Sequence, residues 1–88
     1  MRLAPKPGAL MRKTLYTKKY KFLCEQLRAA RKEAGMTQQQ VADRLKKHQS
    51  FVAKYEAGER RLDVVEFLEV VRWLEADPHE MIRNIADS

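Results

Sequence analysis

Between Gln38 and Arg61 the chain gathers side chains suited to recognition rather than reaction. Gln49, Ser50, Phe51 and Lys54 lie within six residues of a helix-patterned segment, flanked by Gln38, Lys46, Lys47, Arg60 and Arg61. A glutamine amide offers a donor and an acceptor side by side, which matches the major-groove edge of adenine. Serine bonds either kind of base edge, and lysine reaches guanine acceptors or a phosphate. The flanking cations suit phosphates, and so does Gln38, because a helix starting there leaves backbone amides free. Reactive chemistry has no comparable footing. His48 and His79 stand far apart, and Cys24 has no ligand spacing to either. No nucleophile–base pair, glycine-rich phosphate loop or carboxylate dyad stands out. The pattern predicts no enzyme, no cofactor and no metal.

Charge supports a polyanionic partner through its distribution. Residues 1–21 hold seven basic residues and no acid, residues 22–61 hold nine basic and five acidic, and residues 62–88 hold two basic and seven acidic. The net charge of +6 therefore falls along a gradient from a basic start to an acidic end. One face is expected to meet the polyanion while the opposite face is kept away from it. No apolar run approaches the length of a membrane span, and a single cysteine fits a reducing compartment, so a cytoplasmic, nucleoid-associated location is expected.

The elements that must position these residues follow from caps and periodicity. Residues 1–16, with Pro5, Pro7, Gly8 and several cations but no apolar period, read as a flexible basic arm. Residues 17–88 read as one all-α domain. From Thr17, a capping residue, Tyr20, Leu23, Leu27, Ala30 and Ala34 step at three and four as one stripe. Lys18 and Lys19 sit poorly at that positive helix end. Gly35 should stop this first helix. Thr37 and Gln40 form a capping box for a second, whose buried face is Val41, Ala42 and Leu45. A turn at Lys46, Lys47 and His48 leads to a third helix over about Gln49 to Ala57, with Val52 and Tyr55 inward and Gly58 as the stop. Asp63 with Glu66 launches a fourth helix, with Phe67, Val70, Val71 and Leu74 as its core stripe. Asp77, Pro78 and Glu80 launch a fifth, with Met81, Ile82 and Ile85. There is no strand signal.

The run from Gly35 to Leu45, followed by Gln49 to Gly58, resembles the helix-turn-helix of the Cro/phage-repressor, or xenobiotic-response-element, family. The resemblance extends from about Leu23 to Ile82. Ala42 is the small residue at the crossing of helices 2 and 3, Glu56 and Gly58 end the recognition helix, and Glu59 to Leu68 continues as in bacterial members. The turn departs from the family pattern at Lys46, where glycine is usual, and at Lys47, where a small or apolar residue is usual. Both changes add positive charge. The resemblance implies a five-helix lambda-repressor-like fold in which helix 3 enters the major groove of double-stranded DNA. Gln49, Ser50, Phe51 and Lys54 would then read bases. For Phe51, contact with a thymine methyl and packing against helix 2 both stay open. Gln38, Lys46, Lys47, Arg60 and Arg61 would hold the backbone, with Gln38 also bracing Gln49. Arg31 and Glu56 would form a structural ion pair tying helix 3 to helix 1.

One helix reads only a few base pairs, so the expectation is a homodimeric repressor on a palindromic operator. Val65, Leu68 and Trp73 exceed what helix 4 needs for the core. Trp73, Ile82 and Ile85 are the expected dimer seam, unless helix 5 folds back to complete the monomer core. Two other readings use the same fold: an antitoxin that also binds a toxin, and a protein-interaction adaptor without sequence-specific DNA binding.

Overall fold

The computed structural model describes residues 17–88; the expected basic arm, residues 1–16, lies outside the described residues. Five helices and no strand make up the described residues: α1 Lys18–Glu33, α2 Gln38–Leu45, α3 Gln49–Glu56, α4 Val64–Leu74 and α5 Pro78–Asp87. Their ends fall where side chains can satisfy free backbone groups. The Thr17 hydroxyl accepts from the Tyr20 amide at 3.2 Å. At α2 the box closes both ways: the Gln40 amide donates to Thr37 at 3.1 Å and the Thr37 amide donates to the Gln40 side chain at 2.8 Å. Asp63 and Glu66 do the same for α4, at 2.7 and 3.0 Å. At α5 the expected Asp77–Glu80 box is not what caps the helix. Asp77 accepts from the His79 amide at 2.9 Å, one residue earlier, as Pro78 carries the chain into the first turn. That bond holds the exposed Asp77 carboxyl below its ordinary range.

The left-handed positions punctuate the chain. Gly35 (φ +73°) lets the Met36 amide turn back to the Arg31 carbonyl at 3.1 Å, closing α1. Lys46 (φ +58°) and Glu75 (φ +57°) make the corresponding turn after α2 and α4 without glycine.

The core is a single cluster. Leu27 of α1, Val41 and Ala42 of α2, Val52 and Tyr55 of α3, Phe67, Val70, Val71 and Leu74 of α4 and Met81 of α5 are all buried. Ala42 is fully buried, and its lack of bulk fits close packing between α2 and α3. The stripe on α1 is rotated from its expected position. Tyr20, Cys24, Leu27 and Arg31 are buried, Leu23 and Ala30 are half-buried, and Ala34 is exposed. Both sets step by three and four; burying Arg31 is feasible because it has a partner. Burial pushes the Cys24 thiol above its usual range.

α5 folds back onto α1. Met81 is buried, the Gln26 side chain bonds the Met81 carbonyl at 3.5 Å, and Asn84 donates to Gln26 at 2.9 Å. Lys19 donates to the Ile85 carbonyl at 2.9 Å and to Ser88 at 3.2 Å. A lysine badly placed for the start of α1 thus complements the negative end of α5. No helix among the described residues is long and apolar enough to cross a membrane.

Candidate nucleic-acid interface

A chain of polar contacts runs from the interior to the surface of α3. It begins at Arg31, whose Nε donates to Glu56 Oε2 at 2.7 Å and whose Nη2 donates to Glu56 Oε1 at 3.1 Å. The Arg31 Nη1 group donates to the Met36 carbonyl at 2.9 Å. The two side chains are only 10% and 4% exposed, and the Glu56 bond raises the arginine's pKa further. The Gln38 amide nitrogen donates to Glu56 Oε1 at 2.9 Å, and its oxygen accepts from Gln49 Nε2 at 2.7 Å. Because Gln38 begins α2 and Gln49 begins α3, a charge buried beneath both helices orients an exposed amide at the tip of α3. The forked guanidinium suits that anchor: it makes two bonds to one carboxylate and keeps a third for the backbone.

Along the rest of α3, Ser50 and Lys54 are exposed beside Gln49, while Val52 and Tyr55 point inward. Phe51 departs from this row. It is half-buried against the core, meets Tyr55 edge-to-face at 5.6 Å between centroids, and lies under the Arg60 guanidinium at 4.7 Å and the Lys47 ammonium at 5.4 Å. A small cavity of about 30 Å³ lined by Leu45, Lys47, Phe51, Glu66, Glu69 and Val70 marks where it leans. The Tyr55 hydroxyl is buried with no hydrogen-bond partner among the described residues, and burial raises its pKa.

The flanking cations divide into two kinds. Lys46 and Lys47 are exposed on the turn before α3. Arg60 is engaged within the fold: it bonds both Glu66 oxygens at 2.9 and 3.0 Å and the Arg61 carbonyl at 2.9 Å. This pair holds the Glu66 carboxyl below its ordinary range. Arg61 lies over the Tyr20 ring at 4.5 Å. The Tyr20 hydroxyl donates to the Arg60 carbonyl at 2.6 Å, and its pKa is pushed up to about 12, chiefly by burial. Arg28, which sequence spacing did not single out, lines an open cleft with Gln38, Ala53, Glu56 and Ala57. Its position one turn before Arg31 was the available signal.

The expected seam residues differ in exposure. Trp73 is half-buried, with the guanidinium groups of Arg44 and Arg72 at 5.3 and 5.7 Å from its ring centroid. Ile85 is half-buried and lines a cleft with Tyr20 and Leu23 of α1, and only Ile82, at 53%, is openly exposed. No group of three or more potential metal ligands occurs among the described residues.

Comparison with known proteins agrees with this geometry. Residues 27–72 match the family model described as Helix-turn-helix. A solved structure, an XRE-family like protein from Pseudomonas syringae pv. tomato str. DC3000, is 40% identical and superposes with a TM-score of 0.78, covering 89% of this chain and 95% of that one. No curated protein matches the chain.

Proposed function

Because the chain belongs to the Cro/C1-type, XRE-like helix-turn-helix family of DNA-binding regulators, we propose that it is a repressor whose two copies read a palindromic operator. Each copy lays α3 in the major groove. Gln49, Ser50 and Lys54 face base edges, with Phe51 at their margin, and the Gln38 end of α2 meets a phosphate. Lys46, Lys47 and Arg61 hold the backbone on either side, Arg28 is an added candidate there, and Arg60 contributes after loosening its grip on Glu66. The observation that carries this reading is the link from buried Glu56 through Gln38 to Gln49. A side chain held in one orientation before DNA arrives loses less freedom on binding, and it favours one base edge over others.

The test is selection of bound sequences from random duplex DNA, followed by gel shifts with nonspecific competitor. The expected result is an enriched inverted repeat that resists competition. Enrichment of nothing, with binding abolished by competitor, would reject sequence-specific regulation. Occupancy of the repeat at a promoter, with reduced transcription, tests the repressor assignment.

A further inference from the structure

Two cations from opposite ends of α3 meet at one ring. Lys47 belongs to the turn before the helix and Arg60 to the loop after it, yet their charged groups lie 5.4 and 4.7 Å from the centroid of Phe51. Like charges gather only where something offsets their repulsion, and two things do so here. The face of an aromatic ring attracts a cation. Glu66 supplies the second offset: its oxygens accept from Arg60 Nη2 and Nη1 at 2.9 and 3.0 Å, and it lines the same small cavity as Lys47 and Phe51. Arg60 first, and Lys47 more weakly, hold that carboxyl below its ordinary range.

The arrangement has the form of a filled phosphate site. A forked guanidinium binds a carboxylate and a phosphate through the same pair of parallel bonds, so Glu66 marks where a phosphate fits. Its hold is exchangeable, because the Arg60 and Glu66 side chains are 40% and 27% exposed and water reaches both. Glu66 Oε1 also accepts from the Asp63 amide at 3.0 Å in the cap of α4, which keeps the carboxylate in place when Arg60 leaves it. Lys47 is exposed and makes no ion pair among the described residues. Two cations against one carboxylate leave a surplus positive charge beside the reading helix.

We propose that Lys47 and Arg60 hold one and the same DNA phosphate at Phe51, with Glu66 standing in for that phosphate in the free protein. The inference rests on the proposed reading of DNA by α3 and deepens it, assigning to one backbone position two contacts that sequence order places on opposite sides of the helix. A single phosphate tied to both ends of α3 limits how the helix tilts in the groove and carries no base preference of its own.

The experiment uses a duplex carrying one half of the selected repeat, with each backbone phosphate replaced in turn by an uncharged methylphosphonate. The full chain is compared with Lys47→Ala, Arg60→Ala and the double variant over a range of salt concentrations, and circular dichroism checks the folds. One linkage should emerge at which neutralisation weakens the wild type and removes its advantage over all three variants. On the unmodified duplex, the double variant should flatten the slope of log affinity against log salt by about 0.9, the value for one phosphate. Different linkages for the two residues, or a slope change of about 1.8, would overturn the shared site while leaving base reading intact. Glu66→Gln, a change that the α4 capping box tolerates, should bind the half-site about threefold more tightly and still need the same linkage. Unchanged or weaker binding would overturn the stand-in role, and this variant carries the test if the double variant fails to fold. A selection that returns no repeat would reject the sequence-specific reading itself; the slope comparison on an arbitrary duplex would then still decide whether the phosphate is shared.

Discussion

Two arginine–glutamate pairs adjoin α3, one through its last residue and one in the loop that follows, and they differ in almost everything except chemistry. Arg31–Glu56 is buried at the end of the helix and passes its order on to Gln38 and Gln49. Arg60–Glu66 stands 40% and 27% exposed beside Phe51 and links the loop to the cap of α4. In the interior, each partner has given up water for the other, so losing one strands a charge. Near solvent, water replaces whichever partner is lost, and salt screens the pair. The buried pair is therefore a fixed reference for the reading side chains, and the exposed one is a release point that can yield to a phosphate.

The sharpest way to break this contrast is Arg31→Ala. It should cost about 3–5 kcal/mol, a fall of tens of degrees in a thermal melt for a domain of this size. A loss below about 1 kcal/mol would remove the distinction. The paired replacement Arg31→Leu/Glu56→Leu should recover part of that stability, since no lone charge remains, yet leave sequence discrimination impaired because Gln38 has lost its anchor. Gln49→Ala and Lys54→Ala should each weaken binding to the selected repeat by about 1–3 kcal/mol with the melt unchanged. Equal losses on random DNA would mean that they touch only phosphates.

Arg60→Ala should cost no more than about 1 kcal/mol at neutral pH, and its effect carries a pH signature. Glu66 titrates lower when folded, so its contribution is complete above the unfolded carboxylate range, about 4.3, and disappears as pH falls through the folded value. Melts of wild type and variant should therefore converge under acid. The smallest effect is expected at Tyr55→Phe. That change removes a buried hydroxyl with no partner among the described residues, so stability should move by less than about 1 kcal/mol or rise slightly. A large loss would reveal a hidden partner for that oxygen.

The fold was legible where local rules act alone. Thr37, Asp63, Gly35 and Gly58 mark helix ends through their own side chains or backbone freedom, and the four buried residues of α4 follow directly from their spacing. What escaped depends on relations between elements. The burial of Arg31 in place of Ala34 is decided by a carboxylate 25 residues away. Phe51 leans onto the core and Tyr55, with Arg60 and Lys47 over its ring, and the stop at Glu75 lacks glycine's signature. The expected seam at Trp73, Ile82 and Ile85 came from counting surplus apolar residues. Counting does not show which of these side chains also meet their own chain: Ile85 lines a cleft with Tyr20 and Leu23, and Arg44 and Arg72 lie near the Trp73 ring.

Lys46 sets folding against affinity at one position. Its left-handed backbone carries a strain of roughly 1 kcal/mol that glycine would relieve, though glycine returns part of the gain through a more disordered unfolded chain. Lys46→Gly should thus raise the melting temperature modestly. If the lysine meets a phosphate, the same change should flatten the dependence of log affinity on log salt by about 0.9. Selection on this turn would then act on two quantities moving in opposite directions: thermal robustness would favour glycine, and tight binding at high ionic strength would favour lysine.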